Sequence, residues 1–192
     1  MVTTRNTRGD VIAAAGRLFA ERGYHGTSMR DLGKELGLLG SSLYAHVESK
    51  QDLLVEVVEE GARLFRASAE AATASGGSPS DQMARLIAGH VEVVLGNRDV
   101  ARTFLNEARM LDQAHRSRVI AARDGYEEVF REVISSGISD GSFRADADSK
   151  LSAIFVLSVL NALERWYRTD GAVGAEELVA ELRSFVLAAL RR

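Results

Sequence analysis

Residues 27–50, TSMRDLGKELGLLGSSLYAHVESK, decide how this chain is read. Glycines cut the stretch into two short helical pieces. Thr27 or Ser28 stands where an N-cap is needed, since a side-chain oxygen there can accept from the unsatisfied amides of the first turn, and Asp31 sits near the positive end. Leu32 and Leu36 share a face, and Gly37 provides a left-handed stop. Gly40, Ser41 or Ser42 then opens a very short helix through Leu43 to Val47, whose two apolar ends pack inward. A helix that short must carry its reading atoms at its N-terminus, which suits insertion into the major groove of duplex DNA. Gly40 lets backbone approach phosphate, and Ser41 and Ser42 can donate to base edges or phosphate. Tyr44 can set its ring on sugar or a thymine methyl, His46 offers a donor, and Lys50 is a point charge opening the next helix. Thr27, Ser28 and Arg30 bracket the neighbouring phosphates.

Outward from this stretch the 3.6-residue period persists. Ile12, Ala15, Leu18 and Phe19 give one apolar face to a helix over about 8–22, stopped by Gly23. Ser49, with Asp52 three residues on, begins a long helix marked by Leu53, Leu54, Val57, Val58, Leu64 and Phe65 and reaching about Ala74. The linker SGGSPSD (75–81) ends in Pro79, suited to a first helical turn. Further helices are predicted over about 79–96, 98–111 and 113–136, then from an Asp146 cap to about Arg168, and finally through Leu178, Leu182, Phe185, Val186 and Ala189. No strand-like alternation appears. The expected fold is all-α, with about nine helices: an N-terminal three-helix domain over 5–65, its helix-turn-helix at about 28–47, and a larger helical effector-binding and dimerisation domain over 66–192.

Composition agrees. Across 192 residues Pro occurs once and Cys never, which favours helices and excludes disulfides, thiol catalysis and zinc thiolate sites. The net charge of −3 hides an asymmetry: residues 1–50 carry seven Lys or Arg against five Asp or Glu, the remainder 17 against 22. A mildly positive head on an acidic body directs any nucleic-acid contact to the N-terminus. No apolar run is long enough for a secretory signal or a membrane span, so the expected location is cytoplasmic, without membrane partners.

The segment AAAGRLFAERGYHGTSMRDLGKELGLLGSSLYAHVESKQDLL, Ala13 to Leu54, resembles the TetR family of bacterial repressors. LFAERGYHGTSMRDL, SSLYAHV and SKQDLL match the family pattern almost position by position. Leu39 and Gly40 depart from it, where a polar residue and a Lys or Arg are commoner, as does Val47 in place of the usual Phe. The resemblance implies a homodimer on a palindromic operator, released by a ligand held in the C-terminal body. Two shorter stretches, FLNEARML (104–111) and LNALERWYRTDG (160–171), are similar to members that respond to acyl-CoA thioesters.

The residues also suggest where these partners bind. The stretch Leu151–Leu163 is apolar nearly all round, so one side closes the core and another must be covered. With the last helix it predicts a dimer interface of Leu151, Phe155, Val159, Leu178, Leu182, Phe185, Val186 and Ala189. An effector pocket is expected from Leu64, Met83, Ile87, Phe104, Met110, Tyr126, Phe130 and Phe155, with His90, Asn106, Glu107 and Asn161 to orient a carbonyl or thioester. The chain is read as a regulator rather than an enzyme, with no cofactor and no metal. The alternative is a helical metal-dependent or small-molecule-binding protein or enzyme carrying a degenerate helix-turn-helix, for which Asp112 and His115 have one-turn ligand spacing.

Overall fold

A computed structural model describes residues 7–38, 44 and 47–191. Among them the chain forms α1 (Arg8–Arg22), α2 (Met29–Leu36), α3 (Lys50–Ala74), α4 (Pro79–Gly96) and α5 (Arg98–Asn106). A 3-10 turn (Ala108–Met110) follows, then α6 (Gln113–Ser139), α7 (Ser149–Asn161), α8 (Leu163–Trp166) and α9 (Ala175–Leu190). No strand occurs among the described residues. The predicted short helix through Leu43, with Gly40, Ser41, Ser42 and His46, lies outside them.

The contacts divide the chain into two compact units. The first holds residues up to Arg63 together with Arg98–Ile120. Thr7 caps α1 in a reciprocal box with Asp10, and Ser28 does the same for α2 with Asp31. These boxes satisfy orphan amides at both helix starts. Ser49 and Asp52 repeat the pairing at the start of α3. The buried faces of α1 (Val11, Ala15, Leu18, Phe19) and α3 (Leu53, Leu54, Val57, Val58) supply the core, with Leu32 and Val47. The Arg8 guanidinium grips Glu56 through Nε and Nη2 at 3.0 and 2.7 Å. Residues 98–120 join this unit, where two glycines admit α5. Gly16 has Val100 and Val57 against it, and a Cβ on Gly61 would lie 2.6 Å from that of Phe104. Thr103 Oγ1 also donates to the Gly16 carbonyl at 3.3 Å.

The second unit holds Leu64–Asn97 and Ala121–Arg192. Gly76 and Gly77 turn the chain with φ of 61° and 91°, which a side chain would oppose. Arg85 reaches back from α4 to fasten this turn, donating to the carbonyls of Ala72 (2.7 Å) and Gly76. Ser78 caps α4 and Pro79 occupies its first turn. Met83, Leu86, Ile87, His90, Val91 and Val94 of α4 are buried, as are Phe130, Val133 and Ile134 of α6. Helix α9 packs on α4 through Leu178, Leu182 and Val186, and Arg183 Nε donates to the Ala84 carbonyl at 3.0 Å.

Three predicted boundaries shift. Asp148, not Asp146, caps α7 by accepting from Leu151 N at 2.8 Å. That helix ends at Asn161 and a separate turn, α8, follows, so no single helix reaches Arg168. Helix α6 passes Gly137 to Ser139, because the glycine serves packing: a Cβ there would lie 2.2 Å from the Phe143 ring.

Gly137→Ala is therefore expected to destabilise the protein by about 1–3 kcal/mol through overpacking. Gly125→Ala, on the same helix with nothing within 4 Å of the added carbon, should gain about 0.5–1 kcal/mol. Urea unfolding of the two variants checks the pair.

Candidate functional site

The turn between α1 and α2 is locked from three sides. Lys50, at the first residue of α3, donates from Nζ to the carbonyls of Tyr24 and Thr27, each at 2.9 Å. The same ammonium lies 4.1 Å from the centroid of the Tyr24 ring. The Tyr24 hydroxyl donates to Gln51 Oε1 at 3.0 Å, and Tyr24 N donates to Glu107 Oε2 at 3.2 Å. Lys50 was expected as a phosphate anchor. Its charge instead caps a turn whose carbonyls have no helical partners, while the Tyr24 face receives the cation.

Thr27 is also reassigned. It is 2 % exposed, and its hydroxyl donates to the carbonyls of Leu18 and Gly23 at 3.1 and 3.0 Å, so it stitches α1 to the turn and turns away from solvent. Ser28 and Arg30 are exposed at the start of α2, and Tyr44 is 55 % exposed. The Ser28 hydroxyl serves the cap with Asp31, whose carboxyl it holds below the usual carboxylate range. Tyr24 and Gln51 did not emerge from the sequence reading, and Glu107 emerged only as a candidate effector contact. The partners lie 23 to 27 residues apart for Lys50 and Gln51 and 83 for Glu107, so nothing local marked this role.

The predicted effector lining separates between the two units. Phe104, Asn106, Glu107 and Met110 belong to the first. There Phe104 covers Gly61, Glu107 binds the Tyr24 amide, and Asn106 is exposed with its amide donating to the Arg102 carbonyl at 3.0 Å. In the second unit Met83, Ile87 and Phe130 are fully buried, while Leu64 and Asn161 are half-buried. Leu64 borders a groove of about 460 Å³ with Ser68, Arg85 and Gly89. Phe155 is 64 % exposed, so it belongs to the surface and not to a pocket.

At the centre of this second set lies an aromatic cluster around His90. The imidazole is 1 % exposed, its centroid 4.9 Å from that of Phe65 and 6.0 Å from that of Tyr126. Phe130 sits 5.3 Å beyond Tyr126. Nδ1 of His90 is 3.1 Å from the Tyr126 hydroxyl. Nε2 makes no well-formed hydrogen bond, the Leu160 carbonyl giving only a weak pull. Burial pushes the His90 pKa down to about 3 and that of the Tyr126 hydroxyl up, so both are neutral at ordinary pH.

The dimer-interface set splits by face. Leu178, Leu182 and Val186 are buried in the chain's own core, because their side of α9 packs on α4. Leu151, Phe185 (62 %) and Ala189 are exposed together with Phe155, and Val159 is half-buried. Trp166 is exposed as well. The Asp112–His115 pair opens α6: Asp112 accepts from His115 N at 2.9 Å and contacts its Nδ1 at 2.6 Å. Among the described residues no helix is long and apolar enough to cross a membrane.

Comparison with known proteins agrees with this layout. Residues 11–57 match the family model described as bacterial regulatory proteins, tetR family, and residues 76–190 match that of the tetracyclin repressor-like C-terminal domain. The HTH-type transcriptional repressor KstR2 of Rhodococcus jostii is 27 % identical over 94 % of this chain and 89 % of its own length. Among solved structures, the TetR family transcriptional regulator PfmR of Thermus thermophilus superposes with a TM-score of 0.86 at 33 % identity, covering 95 % of this chain and 99 % of its own. AibR, solved with isovaleryl coenzyme A and operator DNA, shares the fold with a TM-score of 0.85 at 22 % identity, covering 95 % and 97 % of the two chains.

Lys50→Met should cost about 1.5–3 kcal/mol, since it strips charge-assisted bonds from two turn carbonyls; urea unfolding reads the loss. His90 gives a pH signature. Its folded pKa of about 3 lies below the 6.5 of the free side chain, so below pH 6.5 the unfolded chain binds a proton the folded chain refuses. The stability this group contributes is complete above that pH and is lost as pH falls toward 3. Between pH 6.5 and 5 the wild type should lose about 1.5 kcal/mol in all more than His90→Phe, measured by urea melts at each pH.

Proposed function

This chain belongs to the TetR family of bacterial regulatory proteins, and we propose that it is a ligand-responsive repressor. In this reading a homodimer binds a palindromic operator and leaves it when a small hydrophobic effector, an acyl-coenzyme A thioester, is bound. The DNA-binding part is placed in residues 5–65 and the effector-binding and dimerisation part in 66–192. The observation that carries the reading is the head itself: Ser28, Arg30 and Tyr44 stand exposed beside a turn that Lys50 and Glu107 hold still. A rigid turn lets a few side chains meet phosphates and base edges in fixed register. Gly40, Ser41, Ser42 and His46 complete the proposed surface. The name of the Rhodococcus relative favours a repressor, and the ligand of AibR favours a thioester.

Leu151, Phe155, Val159, Phe185 and Ala189 form the proposed dimer face, with Leu178, Leu182 and Val186 supporting it from the core. Symmetry then presents two heads to half-sites about one helical turn apart. Helix α3 runs unbroken from Lys50, the residue that locks the head, to Ala74. A shift of its later turns on effector binding would alter how the heads are held. The effector moves this equilibrium only by its preference for one of the two states. Met83, Ile87, His90, Tyr126 and Phe130 are the proposed effector contacts, with Leu64 and Asn161 of the same unit. The site of action implies a cytoplasmic protein.

Operator selection from random duplexes followed by mobility shift tests the reading. Tyr44→Ala should weaken the selected complex about 10-fold or more with unchanged melting temperature, and Arg30→Ala should reduce the salt slope by about one. Phe155→Glu should yield monomers in sedimentation, and an acyl-CoA series should release the operator. A folded dimer with no preference over random competitor overturns the proposal.

A further inference from the structure

Buried polar groups in native proteins are almost always hydrogen-bonded, and a donor left without an acceptor costs about 1–3 kcal/mol. His90 stands out against that rule. It is held in an apolar shell of Phe65, Tyr126 and Phe130, one turn from Ile87 and two from Met83 on the same face of α4. A phenylalanine or leucine there would avoid the desolvation cost. Taking the Tyr126 hydroxyl, 3.1 Å from Nδ1, as the donor to that nitrogen puts the ring proton on Nε2. The arrangement leaves one enclosed ring nitrogen, Nε2, without a well-formed partner. Tyr126 is half-buried, whereas the imidazole is fully enclosed.

We propose that His90 and Tyr126 are the polar anchor of the effector site, and that the anchor selects a neutral carbonyl, a thioester or ketone borne on an apolar body, over a free carboxylate or an amine. The inference deepens the effector reading above and rests on it for the assignment of an effector to this unit. The donor at Nε2 meets the carbonyl oxygen, while Tyr126 fixes the imidazole's tautomer and tilt. Because both groups stay uncharged through the physiological range, neither can neutralise a buried ion. A carboxylate or ammonium would enter with its solvation lost and no counter-charge, whereas a carbonyl satisfies the orphan donor at no electrostatic cost.

The test uses full-length dimer with 15N-labelled histidine, the His90 signal being assigned by its loss in His90→Phe. Butyryl-, octanoyl- and palmitoyl-coenzyme A, the methyl ketones of the same lengths, and the matching carboxylates and amines are titrated separately. At least one thioester or ketone should shift the His90 Nε2 resonance, and the matching carboxylate and amine should bind at least roughly tenfold more weakly. Tyr126→Phe should weaken that same carbonyl compound roughly tenfold, read by calorimetry. The anchor is overturned if no carbonyl compound moves the resonance, if a carboxylate moves it at equal concentration, or if Tyr126→Phe binds as tightly as the wild type. Operator release measured in parallel separates this from the broader reading. Thioesters that release DNA without disturbing His90 refute the anchor alone. Ketones that engage His90 while no thioester releases DNA refute the thioester effector alone.

Discussion

The head depends on one cation in one place. Lys50 opens α3, yet its ammonium belongs to the turn that joins α1 to α2, where it meets two carbonyls and the face of Tyr24. Without it the Thr27 carbonyl would lose the ammonium and the Tyr24 carbonyl would keep only the Thr27 amide at 3.4 Å. Glu107 closes the same turn from the opposite side of the chain's sequence, by accepting the Tyr24 amide. A bound helix can read a groove only if its support is stiffer than the DNA it meets. Here that stiffness comes from a lysine, a glutamate and an aromatic ring, none of which needs to touch nucleic acid.

The second unit makes a different use of polarity. Its core is aliphatic and aromatic, with a single enclosed imidazole whose donor lacks a good acceptor. Its outer face carries Phe155, Phe185 and Trp166 in contact with water. The first feature is suited to a small partner and the second to a large one. Both cost stability in the isolated chain, and both lie on helices whose other sides are tightly packed.

Helix positions were legible wherever one face was apolar and a cap stood at the start. Ser28 and Ser49, read as caps, each pair with an aspartate three residues on, and Thr7 and Ser78, which were not read as caps, pair the same way. What a stripe cannot announce is the surface that covers it. Leu178, Leu182 and Val186 read as a dimer face but pack on α4, and periodicity holds no information about which of two partners arrives. For α7, apolar nearly all round, the pattern could not assign Phe155 inward or outward. Lys50 failed for a related reason: a lysine beside a recognition motif looks like a phosphate contact, and the carbonyls that hold it lie 23 and 26 residues earlier. Thr27 was legible as a hydroxyl near DNA, but its burial depends on the path of α1, which its neighbours do not encode. The TetR resemblance over the head was carried by enough positions to survive these local errors.

The paired glycines at 76 and 77 would by composition be taken for slack. Arg85, hooked over the carbonyls of Ala72 and Gly76, makes them a fixed elbow. Such a corner tolerates no change of length, because one inserted residue would carry the carbonyls off the guanidinium and leave a swivel. The same hook should shield the peptide bonds of this segment from proteases, which need several extended residues to grip. A loop that looks like the natural place to cut or graft this chain is one of the poorer choices for either.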